Sequence, residues 1–127
     1  MKNSQKQFEK WANIKLAELQ NTLLLNDCRL FPIEGSDEVG FLESKFRYPY
    51  REIVVRYNPT KVQHYWKTDK DYLIKSLTHE MCHPLTDPLY TKAITRHTTK
   101  DEIEDERERL VDHIANIILK LTLTNKS

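Results

Sequence analysis

Phe8, Ala12, Leu16, Leu19 and Leu23 recur at steps of three and four, and Ile103, Leu110, Ile114, Ile117 and Leu121 repeat that spacing near the other end of the chain. Steps of three and four place side chains on one face of a helix, so both stretches predict amphipathic helices. The first runs over about Gln5 to Leu25 and the second over about Lys100 to Leu121. Between them the pattern changes. Cys28 to Ile33, Val39 to Leu42 and Glu52 to Tyr57 read as short strands, the last with β-branched residues at its centre. Glu34-Gly35-Ser36-Asp37 reads as a turn, and Asn58-Pro59 as the end of the third strand.

A further helix is expected to start near Thr68, with Thr68 as its cap and Asp71 three residues on. Tyr72, Leu73, Leu77 and Met81 form its apolar stripe. Proline lacks an amide hydrogen, so Pro84 is expected to stop or kink the helix. Leu85 to Thr99, which includes Pro88, then reads as a long loop, and Thr122 to Ser127 as a polar tail. These elements predict one α+β domain over residues 1–127: an N-terminal helix, a small mostly antiparallel sheet, a central helix, a loop and a C-terminal helix.

With 127 residues the chain fits a single modest core. Its two glycines argue against a glycine-rich phosphate loop, and a net charge of +1 supplies no overall field toward nucleic acid or anionic membranes. Cys28 and Cys82 are too few for the disulfide framework of a small secreted domain. The first residues lack the apolar stretch of a signal peptide, and no window approaches a membrane span. A reducing cytoplasm with free thiols is the expectation.

Residues 79 to 83 read His79-Glu80-Met81-Cys82-His83, the pattern HExxH. Histidines four apart on a helix lie one turn apart on the same side, so their nitrogens can converge on one ion at about 2.0–2.1 Å, as zinc prefers. Glu80 is offset and can reach water on the ion without ligating it. Bound zinc lowers the pKa of water to about 7, and a neighbouring carboxylate can take its proton. The chemistry indicated is metal-assisted hydrolysis of a peptide bond. The plain alternative is a pair of solvated histidines on a helix surface.

The motif, following a strand, resembles that of the zincin metallopeptidases, and within them the gluzincin branch, whose third zinc ligand is a glutamate on a later helix. Here the later helix carries Glu104, Glu106 and Glu108. With Leu110, Ile114, Ile117 and Leu121 as the centre of its buried face, Glu106 falls to one side and Glu104 and Glu108 to the other, on a strip shared with Ala115. The resemblance favours Glu108 as the third ligand, with Glu104 second. Glu108 is followed four residues later by Asp112, as in thermolysin-like enzymes, where that aspartate orients a zinc histidine. The run Glu108 to Ala115 is also similar to a segment of ImmA/IrrE-type peptidases. The chain's size resembles that of the minigluzincins and of short phage metallopeptidase-like proteins.

Larger gluzincins supply an oxyanion donor from a further domain. Here Tyr90 and His97 are the candidates for that role, against the alternative of packing or surface residues. His113 is expected to be exposed or paired structurally, and His64 has no expected role. Cys82 is expected to be a small buried apolar residue. In zincins a strand ahead of the motif helix pairs with extended substrate, which would give Ile53 to Tyr57 an edge facing the peptide. The run Lys45-Phe46-Arg47-Tyr48-Pro49-Tyr50-Arg51 interleaves cations with aromatics. Some SprT-like zincins act on DNA-attached proteins, so Lys45, Arg47 and Arg51 are weighed as nucleic-acid contacts against a solvated loop. The favoured function is zinc-dependent peptide hydrolysis on a protein or peptide substrate. Its rivals are a metal-holding binding module without useful catalysis and a purely structural zinc site.

Overall fold

The computed structural model describes the backbone of residues 2–47 and 50–125 and the side chains of residues 3–47 and 50–121. It is an α+β arrangement of four helices and four short strands. In chain order these are α1 (Lys2–Thr22), β1 (Arg29–Leu30), β2 (Glu34–Gly35), β3 (Leu42–Arg47), β4 (Glu52–Tyr57), α2 (Pro59–Thr68), α3 (Lys70–Ile94) and α4 (Lys100–Asn125).

β4 is the centre of the sheet. β3 pairs with it antiparallel along its whole length, from Leu42 opposite Tyr57 to Arg47 opposite Glu52. β1 and β2 pair with it parallel, Arg29 opposite Glu52 and Gly35 opposite Tyr57. A strand has two edges, so β1 and β2 share the edge that β3 leaves open, and among the described residues no strand pairs with the outer edge of β3. Two of the three pairings are therefore parallel, which corrects the mostly antiparallel sheet expected. The expected turn at Glu34-Gly35 is instead β2, and the strand expected at Val39 to Leu42 begins at Leu42 and runs on to Arg47.

The apolar stripe of α1 packs on this sheet. Phe8, Ala12 and Leu16 are at most 1% exposed and join Ile53, Val55 and Tyr57 of β4 and Leu73, Leu77 and Met81 of α3 in one core. Phe8 lies 4.8 Å from the Tyr57 ring and 5.8 Å from Trp66 of α2, edge-on to the latter. Tyr57 is buried, and its hydroxyl donates to Glu9 Oε2 at 2.7 Å. Burial pushes its phenol well above the ordinary value, with the neighbouring Glu9 adding to the effect.

α2 was not anticipated. Asn58 caps it by accepting from the Lys61 amide at 3.1 Å, and Pro59 occupies the first turn, where its missing N–H costs nothing. Asp69 then closes α2, its amide donating to Tyr65 O, and opens α3 by accepting from the Tyr72 amide at 3.1 Å. The cap of α3 is thus Asp69 and not Thr68.

α3 continues through Pro84 and Pro88 to Ile94, which corrects both the stop at Pro84 and the long loop expected over Leu85 to Thr99. A proline inside a helix costs about 3 kcal/mol and frees the carbonyl four residues earlier, here those of Glu80 and Pro84. Both prolines are buried and line the seam with Leu25, Glu106 and Leu110, so tertiary packing offsets the cost. Only residues 95–99 connect α3 to α4.

α4 begins as expected at Lys100 but presents a different face. Glu106 and Ile117 are buried, and Ile103, Leu110 and His113 are half-buried, whereas Ile114 and Leu121 are 41% and 45% exposed. The inward line is turned by about 30° from the one expected, toward Glu106.

Candidate metal site

His79, Glu80 and His83 lie on the side of α3 next to β3, one turn beyond Ser76. The helix forms here because Leu73, Leu77 and Met81 bury the adjacent stripe completely, which fixes the rotation of the motif. One ligand atom from each of the three residues lies within 4.8 Å of the others. The two imidazoles stand 5.1 Å apart between centroids, nearly perpendicular. Two nitrogens sharing one zinc at about 2.0–2.1 Å are roughly 3.3 Å apart, a closure that small side-chain rotations supply. The residues present therefore fit a divalent ion held by the histidines.

Glu80 is tied to the sheet. Ser44 on β3 donates its hydroxyl to Glu80 Oε1 at 2.9 Å. One carboxylate oxygen is thereby oriented and the other is left for chemistry. Behind the second histidine, His83 Nδ1 faces Asp87 Oδ1 at 3.6 Å, one turn further along α3. Burial pushes the Asp87 carboxyl up, with the His83 ring acting in the other direction and the Glu80 charge adding to the rise. A carboxylate behind a ligating imidazole fixes which ring nitrogen carries the proton and aims the other at the ion. Asp87 was not anticipated as that partner, although it follows His83 by four residues and the helical period alone would have found it.

Comparison with known protein families, curated proteins and solved structures returns no match. Function therefore rests on the site itself.

Among the described residues His79, Glu80 and His83 are the one group of three that could hold a metal. Glu108 is not in it. It is exposed, on the side of α4 opposite the line Ile103, Glu106, Leu110, His113 and Ile117. Glu104 pairs with Lys100 at 3.8 Å. Asp112 is exposed, so the carboxylate beside a motif histidine is Asp87 instead. The buried glutamate of α4 is Glu106, 7% exposed, which accepts from Arg109 Nη1 at 3.3 Å. It packs by Pro84 and Pro88 and is not grouped with the histidines.

Tyr90 is 61% exposed on α3, and His97 is exposed in the α3–α4 connection. Neither lines the cleft beside His79 and Glu80. His113 is structural, its Nε2 lying 2.8 Å from Leu23 O. Both cysteines are free, and burial pushes the Cys82 thiol up, away from the thiolate a metal would bind. Of the three cations in the basic run, Lys45 is exposed on β3 and the other two are paired. Arg47 pairs with Glu52 at 3.7 Å and Arg51 with Asp27 at 2.8 Å, while Tyr48 and Pro49 lie outside the described residues. β4 has partners on both edges, so the strand with a free edge near the motif is β3, not Ile53 to Tyr57. Among the described residues no helix is long and apolar enough to cross a membrane.

Proposed function

We propose that this chain is a small zincin-like metal-dependent peptidase in which His79 and His83 hold the ion, zinc for preference, and Glu80 is the general base. The reading takes the substrate to be a protein or peptide met in the cytoplasm. The observation that carries it is the grouping of the HExxH side chains beside β3, a strand paired on one side only among the described residues, with its Ser44 bonded to Glu80.

Zinc, when bound, lowers the pKa of a water to about 7 and polarises the substrate carbonyl. The chain's own residues do the rest. Glu80 Oε2, left free by the Ser44 bond to Oε1, accepts the proton of the attacking water and returns it to the departing amine. Asp87 lies 3.6 Å from His83 Nδ1, close enough that a small side-chain rotation would let it accept from that nitrogen and leave Nε2 for an ion. The outer edge of β3 offers main-chain donors and acceptors to an extended peptide, which brings a scissile carbonyl alongside α3.

A second reading is favoured by one specific observation: Glu108, the third ligand implied by the gluzincin resemblance, does not join the histidines. In that reading the chain is a metal-holding protein-interaction module with little catalysis. The two are separated by measuring metal content and peptide hydrolysis in the wild type, His79→Ala and Glu80→Gln. A peptidase shows near one metal per chain, loses it in His79→Ala, and keeps it but loses hydrolysis in Glu80→Gln. A binding module keeps the same metal pattern without hydrolysis in any form. No metal uptake in the wild type sinks both.

A further inference from the structure

From His79 toward the start of α3, a groove runs between that helix and the start of β3, then on between residues 40–41 and α2. Its near part, about 320 Å³, is lined by Leu42, Lys75, Ser76, His79 and Glu80 together with Phe41 and Tyr72. Its far part, about 400 Å³, is lined by Phe41 and Tyr72 again, with Lys61, His64 and Tyr65. The two parts share Phe41 and Tyr72 and so adjoin. Tyr65 and Tyr72 stack at 4.5 Å, and Phe41 stands 5.3 Å and 5.8 Å from them, so the shared section is aromatic. Tyr72 keeps 42% of its surface exposed, and nothing would stand within 4 Å of a Cβ at Gly40 on the rim. Phe41, just before β3, and Tyr65 of α2 pack on the edge of the core, while Tyr72 of α3 stays open to the groove, as a docking surface does.

Charge along the groove is uneven. Glu80 is its one lining carboxylate, at the metal end; the basic residues are Lys75 in the near part and Lys61 and His64 in the far part. No ion pair holds Lys61 among the described residues. A phosphate backbone laid along it would meet Glu80, whereas a polypeptide can place a neutral peptide unit there and a carboxylate side chain at Lys61.

The spacing sets a register. Tyr72 and His79 are seven residues apart on α3, about 10 Å at 1.5 Å per residue. An extended chain covers that in about three residues at roughly 3.3 Å each. We infer that the groove selects extended protein segments carrying a large apolar or aromatic side chain about three residues from the bond at Glu80, with an acidic residue beyond it. The aromatic side chain lies against Tyr72 and Phe41, the main chain pairs with the outer edge of β3, and the acidic residue meets Lys61. This rests on the peptide reading above, and deepens it to a substrate class.

The test uses the full chain carrying Glu80→Gln, loaded with zinc, so that binding is read without turnover. Fluorescently labelled alanine–serine peptides carry one phenylalanine moved step by step along the sequence, with or without an aspartate beyond it. One register is expected to bind roughly ten-fold tighter than the all-alanine peptide. Adding Tyr72→Ala removes that preference, and adding Lys61→Glu turns the gain from aspartate into a loss. Equal binding of all registers, no binding at all, or a preference unchanged by Tyr72→Ala overturns the inference. Parallel hydrolysis by the wild type separates the two claims. Selective binding without cleavage keeps the groove and removes the peptidase, whereas cleavage without register preference keeps the peptidase and removes the groove.

Discussion

Ser44 and Glu80, thirty-six residues apart in the chain, meet through a 2.9 Å hydrogen bond that joins the outer strand of the sheet to the helix bearing both histidines. The bond sets the angle at which the carboxylate faces the cleft, and it is made by a strand residue, so anything that pairs with β3 also bears on the base. Replacing Ser44 by alanine should leave metal content unchanged and lower kcat by roughly ten-fold, the cost of an imperfectly oriented base. Elemental analysis beside steady-state kinetics on one peptide checks this. A fall in metal content with kcat per metal unchanged would show that Ser44 supports the ligands and not the base.

Asp87 stands behind His83 on the same helix, 3.6 Å from Nδ1. Asp87→Asn keeps the shape and removes the charge, and it should weaken zinc binding by about ten-fold. Asp112→Asn, at an exposed position on α4, should leave it unchanged. Competition with a chromophoric chelator reads both. Equal affinities in the two variants would remove Asp87 from the site.

The Tyr57 hydroxyl is buried and donates to Glu9 Oε2 at 2.7 Å. Tyr57→Phe should destabilise the fold by about 1 kcal/mol, the usual net value of such a bond. The phenol is raised above its ordinary value of 10.0, mainly by burial, so the unfolded chain ionises first as pH rises. Stability from this group is full below about pH 10 and is lost as pH climbs toward the raised folded value. Urea titrations at pH 9 and pH 11 should therefore converge for wild type and Tyr57→Phe. A constant difference across that range would count against the assignment.

At the other end of the pH scale, burial acts to raise the Asp27 carboxyl, but its hydrogen bond and attraction to Arg51 outweigh this and hold it below 3.8. The sign is opposite to that of Tyr57: the contribution is present above about pH 4 and disappears as acid protonates the folded carboxylate. Asp27 is 62% exposed, so the effect is small. Asp27→Asn should lower stability slightly at neutral pH and flatten the acid limb of a stability–pH curve, so that the two proteins converge in acid. Parallel acid limbs in the two proteins would be the contrary result.

Parts of this molecule were legible before its structure, and the divisions have physical causes. β4 lies where its β-branched residues predicted it, because Ile53, Val54 and Val55 are buried on both faces of the sheet and only a central strand uses such a run. The motif histidines were legible because helical geometry fixes the i, i+4 relation locally. α2 was missed because Asn58-Pro59 serves equally to end a strand and to cap a helix, and only the first use was read. α3 overran its prolines because contacts with α4 outweigh a local penalty. The face of α4 was misjudged because apolar residues are not obliged to be inside: Ile114 and Leu121 are partly exposed while Glu106 is buried against the proline seam. Ser44, Phe41 and Tyr65 were invisible as site residues, since they reach α3 only through the tertiary pairing of β3 and the return of α2.

The connection between α3 and α4 also bears on how the protein is made. The groove, its aromatic cluster and the histidine pair draw on Gly40 through His83, and the core beneath them on α1 and β4. All of that has been synthesised before the first residue of α4 is polymerised. Chains fold from the N-terminal side as they emerge, and neighbours close in sequence find each other first. The final helix is therefore made last, as a late clamp on the proline seam, and a chain halted at the α3–α4 connection already carries His79, Glu80 and His83, the group among the described residues that could hold an ion.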